Sequence, residues 1–131
     1  MSRIRGKHTR PELVVRRMAH QMGLRFRLHR KDLPGTPDLV FPSRKIAAFV
    51  HGCFWHRHPG CRRASGTRTR SDYWQSKFER NVARDREVKQ QLEESGWRVV
   101  TFWECETRHT EAVSKQLEQI ANSHVIKKRD H

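Results

Sequence analysis

Residues 46–61 read Ile-Ala-Ala-Phe-Val-His-Gly-Cys-Phe-Trp-His-Arg-His-Pro-Gly-Cys, an apolar segment that runs directly into a cluster of cysteine and histidine. The cluster holds two of the chain's three cysteines, Cys53 and Cys61, and the third is Cys105. An odd number of cysteines argues against a disulfide framework, and thiolate and imidazole are the ligands that zinc prefers. The stretch therefore predicts a strand that ends in a structural zinc site.

The fourth ligand of that zinc site is open from spacing alone. His58 lies between Cys53 and Cys61, and His56 competes with it. The gap between the two cysteines is longer than the roughly two to four residues that separate such ligands in zinc fingers. Three buried free thiols beside unrelated histidines are the alternative interpretation.

The flanking sequence predicts elements in the order α-β-β-β-α-β-α. The predicted helices span 9–23, 71–95 and 109–122, and the predicted strands span 24–29, 38–41, 46–50 and 97–104. In the first helix Thr9 is the expected cap, and Val14, Met18 and Met22 form the expected apolar face. Residues 97–104 are apolar on both faces and predict a buried central strand. The expected fold class is α/β, with a mixed central sheet flanked by helices.

The composition predicts a polyanionic partner. Lysine and arginine number 28 against 14 acidic residues, so the net charge is 28 − 14 = +14. This excess is spread along the chain, which favours nucleic acid over a merely soluble basic surface. No apolar run approaches a membrane span, and the basic residues 1–7 lead into no signal segment, so we expect a cytoplasmic protein. We expect one domain over 1–131, monomeric, with a short basic arm (1–8) and a disordered tail (124–131).

Five sequence strings carry a resemblance to a known family. They are Thr-Arg-Pro-Glu at 9–12, Leu-Pro-Gly-Thr-Pro-Asp at 33–38, His-Gly-Cys-Phe-Trp-His at 51–56, Tyr-Trp at 73–74 followed by Lys77, Asn81 and Arg84-Asp85, and Gly-Trp-Arg-Val at 96–99 leading to Trp-Glu-Cys at 103–105. In these the chain resembles the very-short-patch repair (Vsr) DNA mismatch endonucleases over roughly residues 9–120. Family members usually carry a longer DNA-clamping arm before Thr9, so weaker clamping is one expectation and a truncated sequence the other.

The resemblance implies a restriction-endonuclease-like fold and a magnesium-dependent nick on the 5′ side of the thymine in a T:G mismatch, the lesion left by deaminated 5-methylcytosine. It also implies the zinc ligands, which are Cys53, His58, Cys61 and Cys105. It therefore selects His58 over His56.

The predicted hydrolytic site centres on Asp38, which opens a strand after a proline-rich turn and offers the oxygen ligands that Mg²⁺ prefers. The resemblance implies that the Val50 backbone carbonyl is the second magnesium ligand and that His56 is the general base. Val50 stands where the family often has threonine, and a carbonyl ligand tolerates that change. His51 is expected to contact the phosphate. Glu12 is expected either to orient a metal-bound water or to complete a capping box with Thr9, and Asp38 could be an ordinary turn aspartate.

The predicted DNA contacts fall into two kinds. Phe54 and Trp55 are apolar residues in a basic loop, which suits an aromatic wedge that stacks on unpaired bases. By resemblance Trp74 joins them, although its spacing also fits a core position. The expected phosphate contacts are Lys77, Asn81, Arg84 and the loop residues Arg62, Arg63, Arg68 and Arg70.

Two other functions fit parts of the sequence. A zinc-stabilised nucleic-acid-binding module without catalysis explains the charge, the cysteines and the aromatics. It leaves Asp38 and two spare histidines around one hairpin unexplained. A restriction-type nuclease that cuts matched duplex is the other alternative.

Overall fold

The computed structural model describes residues 9–53, 56, 58 and 71–123, of which 71–74 are described by their backbone alone. The helices are α1 (Arg10–Gln21), α2 (Ser71–Glu94) and α3 (Thr110–Ala121). The strands are β1 (Arg27–Leu28), β2 (Leu39–Phe41), β3 (Ile46–His51) and β4 (Arg98–Trp103). The predicted order of elements is confirmed. The expected arm (1–8) and tail (124–131) lie outside the described residues.

The four strands form one mixed sheet in the order β1-β2-β3-β4. β1, β2 and β3 pair antiparallel, and β3 pairs parallel with β4. The prediction that residues 97–104 form a central strand is wrong, because β4 lies at the edge of the sheet in the described part of the chain. Helices cover both faces of β4, so its two apolar faces reflect that coverage rather than a central position.

Side chains alternate along the strands, so the core lies in two layers, one between each face of the sheet and its helices. Ile46 and Ala48 of β3 face one side, where they pack with α1 and α3. Ala47 and Phe49 face the other side, where they pack with Leu92 of α2. Successive side chains of a strand point to opposite faces, so a continuous apolar run such as 46–50 requires helices on both. The expectation of a mixed sheet flanked by helices is confirmed.

The buried face of α1 differs from the prediction. Its buried residues are Glu12, Val15 and Ala19, whereas Met22 is 38% exposed. Thr9 caps the helix as expected, since its Oγ1 accepts a hydrogen bond from the Glu12 N–H at 3.4 Å. One position on the face of α1 that packs against the core is a glutamate, Glu12. The spacing of apolar residues alone therefore predicted the neighbouring face of the helix.

The turn before β2 approaches α2 closely. Gly35 has a φ of +74°, and a Cβ at this position would lie 2.6 Å from Val88 Cγ1. Only glycine meets both the positive φ and the lack of space without strain. This contact fixes α2 beside the segment that leads into Asp38. Within the part of the chain described here, none of the helices has the length and apolarity to cross a bilayer.

Candidate active site

A cleft of about 860 Å³ lies between the sheet and α2, at the end of β3. Four residues of the predicted hydrolytic site line it, namely Asp38, Val50, His51 and His56. Two of the predicted phosphate contacts, Asn81 and Arg84, line it as well. The structure therefore brings together residues from the turn before β2, from β3, from the loop after it and from α2.

The backbone of β3 holds the Asp38 side chain at the open end of the β2–β3 hairpin. Its Oδ2 accepts a hydrogen bond from the Val50 N–H at 2.8 Å. The pKa of Asp38 is raised to about 6, chiefly by burial and also by the nearby Glu12 carboxylate, while the Val50 hydrogen bond and the neighbouring histidines oppose the rise. Asp38 is thus a carboxylate whose ionisation is disfavoured until a positive charge comes near.

Glu12 reaches the same place from α1. Its side chain is only 1% exposed, and its Oε2 lies 2.8 Å from Nε2 of His29. One side-chain ligand atom from each of Glu12, His29 and Asp38 falls within 4.8 Å of the other two. This placement puts the Glu12 carboxylate beside Asp38, as its predicted role at a metal-bound water requires. His29 was not predicted, because in the sequence it is an isolated histidine at the end of an alternating strand.

His51 and His56 stack on each other, with ring centroids 3.9 Å apart and planes inclined by 7°. Nδ1 of His56 lies 2.7 Å from Oδ2 of Asp85 on α2. Burial, together with the neighbouring His56, lowers the pKa of His51 to about 4. His51 is therefore uncharged at neutral pH and can offer a phosphate a hydrogen bond but no positive charge. Asp85 had no predicted role, since no feature of a single sequence links it to a histidine 29 residues away.

A second cluster joins the loop after β3 to the end of β4. Nδ1 of His58 lies 3.7 Å from the Cys53 sulfur and 3.4 Å from the Cys105 sulfur. A tetrahedral zinc ion with ordinary bond lengths would separate sulfur and nitrogen by about 3.6 Å, so the three side chains fit zinc. The Cys105 N–H also donates to the Cys53 sulfur at 3.3 Å, which suits a thiolate.

The two candidate histidines have different partners in the structure. The His58 ring stacks on Trp103 beside the thiols, with centroids 4.2 Å apart. His56 instead contacts Asp85 in the cleft. Cys61, the fourth predicted ligand, lies outside the described residues.

The predicted DNA-binding residues are described in part. Lys77, Asn81 and Arg84 recur along α2 at helical spacing, and the last two face the cleft. Phe54, Trp55, Arg62, Arg63, Arg68 and Arg70 lie outside the described residues, as does the side chain of Trp74.

Comparison with known proteins yields one consistent family. The family model described as DNA mismatch endonuclease Vsr matches residues 1–63. The type II nicking enzyme V.XorIIP of Xanthomonas oryzae pv. oryzae is 52% identical over 120 residues, which cover 92% of this chain and 88% of that protein. The DNA mismatch endonuclease Vsr of Escherichia coli K12 is 39% identical over 119 residues, which cover 85% of this chain and 76% of that protein.

A third relative, the type II nicking enzyme V.NmeAIP of Neisseria meningitidis serogroup A, is 33% identical over 120 residues and covers 92% of this chain and 85% of its own length. These matches extend over both the cleft and the cysteine-histidine cluster. They confirm the expectation of a DNA endonuclease. The chain belongs to the Vsr family of DNA mismatch endonucleases.

Proposed function

We propose that the protein nicks one DNA strand on the 5′ side of the thymine in a T:G mismatch, in a reaction that requires Mg²⁺. One observation carries the proposal: Asp38, His56 and Asp85 meet in a single cleft that basic and polar residues of α2 also line. The names of the relatives, a mismatch endonuclease and nicking enzymes, support cleavage of one strand.

The residues that would hold magnesium are Asp38 and the backbone carbonyl of Val50. Both offer oxygen, which a hard cation prefers. The N–H and C=O of one residue point to the same side of a strand, and the Val50 N–H points to Asp38, so its carbonyl lies on the Asp38 side. Bound there, magnesium supplies positive charge to the scissile phosphate. The closeness of Glu12 to Asp38 supports a cation at this point, because a buried and a half-buried carboxylate repel each other.

His56 accepts the proton of the attacking water. Its Nδ1–H donates to Asp85, which leaves the lone pair on Nε2 free to take a proton. Asp85 holds the ring in that tautomer and stabilises the imidazolium that forms. A base that a third group orients in this way is the usual arrangement for activating a nucleophile.

His51 assists as a neutral hydrogen-bond donor to the phosphate. The stacked His56 ring holds it in place, and its edge-to-face contact with Trp103, at 5.4 Å between centroids, supports it from the other side. A neutral donor stabilises the developing charge without competing with the cation for Asp38.

Recognition of the mismatch is assigned to the aromatic residues Phe54, Trp55 and Trp74. A T:G pair is more weakly held than a matched pair, so opening it costs less. Stacking of a base on an aromatic ring contributes about 1–3 kcal/mol and offsets that cost. Lys77, Asn81 and Arg84 bind phosphates along the cleft, and we propose that one copy of the chain acts alone.

Zinc holds the loop after β3, which carries His56. Cys53, His58, Cys61 and Cys105 form a closed set, which is typical of a structural rather than a catalytic zinc. His56 lies between two of these ligands in the sequence, so the same ion would fix the position of the base.

The decisive experiment is a nicking assay on end-labelled duplexes that contain T:G, U:G or a matched pair at the same place. We expect one cut, in the thymine strand of the T:G duplex, with Mg²⁺ and none with EDTA. Asp38→Ala serves as the inactive control. Failure of the wild-type protein to cut the T:G duplex under any divalent cation would refute the proposal.

The same assay separates the two alternatives. Cleavage of both strands of the matched duplex would identify a restriction-type nuclease. Tight binding of DNA without cleavage would identify a non-catalytic binding module. The pairing of His56 with Asp85 argues against that module, since a merely structural loop histidine needs no carboxylate partner.

A further inference from the structure

The backbone of His29 adopts an unfavourable conformation at the edge of the cleft. Its φ is +47°, in the left-handed region that L-residues with a side chain rarely occupy. Its N–H donates to the Asp38 carbonyl at 3.1 Å, which ties the end of β1 to the start of β2. Glycine would adopt this conformation without strain, so the backbone at this position favours glycine over a residue with a side chain such as histidine.

The imidazole of His29 is directed inward. It is 12% exposed, and its Nε2 lies 2.8 Å from Oε2 of Glu12. Arg16, one helical turn along α1, also approaches that oxygen, at 3.6 Å. The Glu12 carboxylate is thus held from two directions in a place where the Asp38 carboxylate is within 4.8 Å.

The contacts with His29 and Arg16 bear on the orientation of the Glu12 side chain. The Thr9 cap binds the Glu12 N–H and does not by itself set that orientation. A long carboxylate side chain loses rotational entropy when it is fixed, and it needs a rigid partner. The ring of His29, fixed at the end of a strand, is such a partner.

We propose that His29 is a positioning residue that holds the Glu12 carboxylate towards Asp38, so that the two carboxylates together receive the divalent cation. This inference rests on the proposed magnesium-dependent function and deepens it. Residues that orient the ligands of a metal or of its bound water commonly contribute about 10- to 100-fold to metal affinity.

The test measures cation binding without DNA. Binding of Mn²⁺ alone to the zinc-loaded protein is followed by electron paramagnetic resonance, and the Mg²⁺ dependence of nicking is measured in parallel. His29→Gly and His29→Leu should each weaken Mn²⁺ binding by about 10-fold or more and raise the Mg²⁺ concentration for half-maximal nicking by a similar factor. His29→Gln, whose amide group can also approach the Glu12 carboxylate, should recover most of both.

Two controls separate positioning from folding. His29→Gly relieves the backbone strain but removes a largely buried ring, so its unfolding is followed by circular dichroism. A cooperative unfolding transition together with a lowered Mn²⁺ affinity separates positioning from loss of the fold. Lys45, which has a φ of +53° in the β2–β3 turn, provides the matched change. Lys45→Gly should leave Mn²⁺ affinity as it is.

The outcomes are distinguishable from those of the nicking proposal. If His29→Gly or His29→Leu binds Mn²⁺ as the wild type does, the positioning role is wrong whatever the nicking result. If His29→Gln fails to recover binding and loses the preference for Mn²⁺ over Mg²⁺, the imidazole ligates the ion directly and the positioning role is likewise overturned. If the wild type binds Mn²⁺ with the predicted differences among variants but cuts no mismatch, the proposed function alone fails.

Discussion

Oδ2 of Asp85 lies 2.7 Å from Nδ1 of His56, so an acid from the middle of α2 meets a histidine from the loop after β3. This contact fixes which nitrogen of His56 carries the proton and turns the other nitrogen into an acceptor. It also connects the long basic helix to the hydrolytic site. The remaining groups of the cleft are arranged around this pair.

Asp85→Asn should abolish most of the activity. The amide can no longer stabilise a positively charged His56, so single-turnover nicking of a T:G duplex should slow by about 10²- to 10⁴-fold, while DNA affinity remains. Glu87→Gln, the same change at an exposed site two residues along α2, is the control and should cut normally. Equal rates for the two variants would exclude Asp85 from the reaction.

Asp38→Ala should separate binding from cleavage. Loss of the carboxylate removes the proposed magnesium ligand, so nicking should fall below detection at any Mg²⁺ concentration. The zinc content and the affinity for a T:G duplex should stay near those of the wild type, because neither depends on Asp38. Nicking that persists in this variant would contradict the assignment of Asp38.

Asp38→Asn should stabilise the metal-free protein at neutral pH. The pKa of Asp38 is raised to about 6 in the folded state, against 3.8 for an unperturbed carboxyl. The folded state therefore binds the proton more tightly than the unfolded state does. As pH rises from about 4 through 6, the free energy of unfolding falls by up to about 3 kcal/mol. Asparagine stays neutral and avoids this loss.

The measurement is thermal unfolding of both proteins in EDTA-free, magnesium-free buffer over that pH range. The variant should melt higher at about pH 7.5, and the difference should shrink towards about pH 4. The pKa of His51, which is lowered to about 4, has the opposite effect: it makes the folded state less stable as pH falls. This effect is the same in both proteins and cancels in the comparison. A melting difference that is constant with pH would contradict the raised pKa of Asp38.

His58→Gln and His56→Gln should behave as opposites. Nδ1 of His58 lies 3.4 Å from the Cys105 sulfur, so its loss should release zinc and lower the melting temperature. His56→Gln should keep about one zinc per chain, since closed structural sites take four ligands, and should lose nicking instead. Elemental analysis of the purified variants, with Cys105→Ser as the zinc-free reference, decides between them. Loss of zinc from the His56 variant would reverse the assignment.

Arg84→Ala should weaken DNA binding through charge. Removing one phosphate contact should reduce affinity for matched and mismatched duplex alike, and should lower the slope of log K against log salt by about 1. Arg17→Ala, an exposed arginine on α1 in the opposite layer, is the matched control. An unchanged slope for Arg84→Ala would place this side chain away from the DNA.

The sequence predicted the elements well because each has a local cause. The Thr9 cap and the apolar run at 46–50 both reappear in the structure. The errors arose where tertiary contacts override local pattern. Glu12 is buried on the face of α1 next to the one predicted to be apolar, and β4 lies at an edge of the sheet although both its faces are apolar.

The candidate site was predicted unevenly for the same reason. Asp38, His51 and His56 lie in sequence strings that resemble the Vsr family, and all three line the cleft in the structure. Asp85 and His29 contact partners far along the chain, His56 and Glu12, and nothing in their immediate sequence neighbours indicates this. Only the packing of α2 and of α1 against the ends of the strands reveals them.

The three carboxylates assigned to the proposed reaction come from different parts of the fold: Glu12 from α1, Asp38 from the turn before β2 and Asp85 from α2 on the other face of the sheet. No fragment that holds just one or two of these parts contains the complete set. Under the proposed mechanism, cleavage should therefore require the whole domain to be folded.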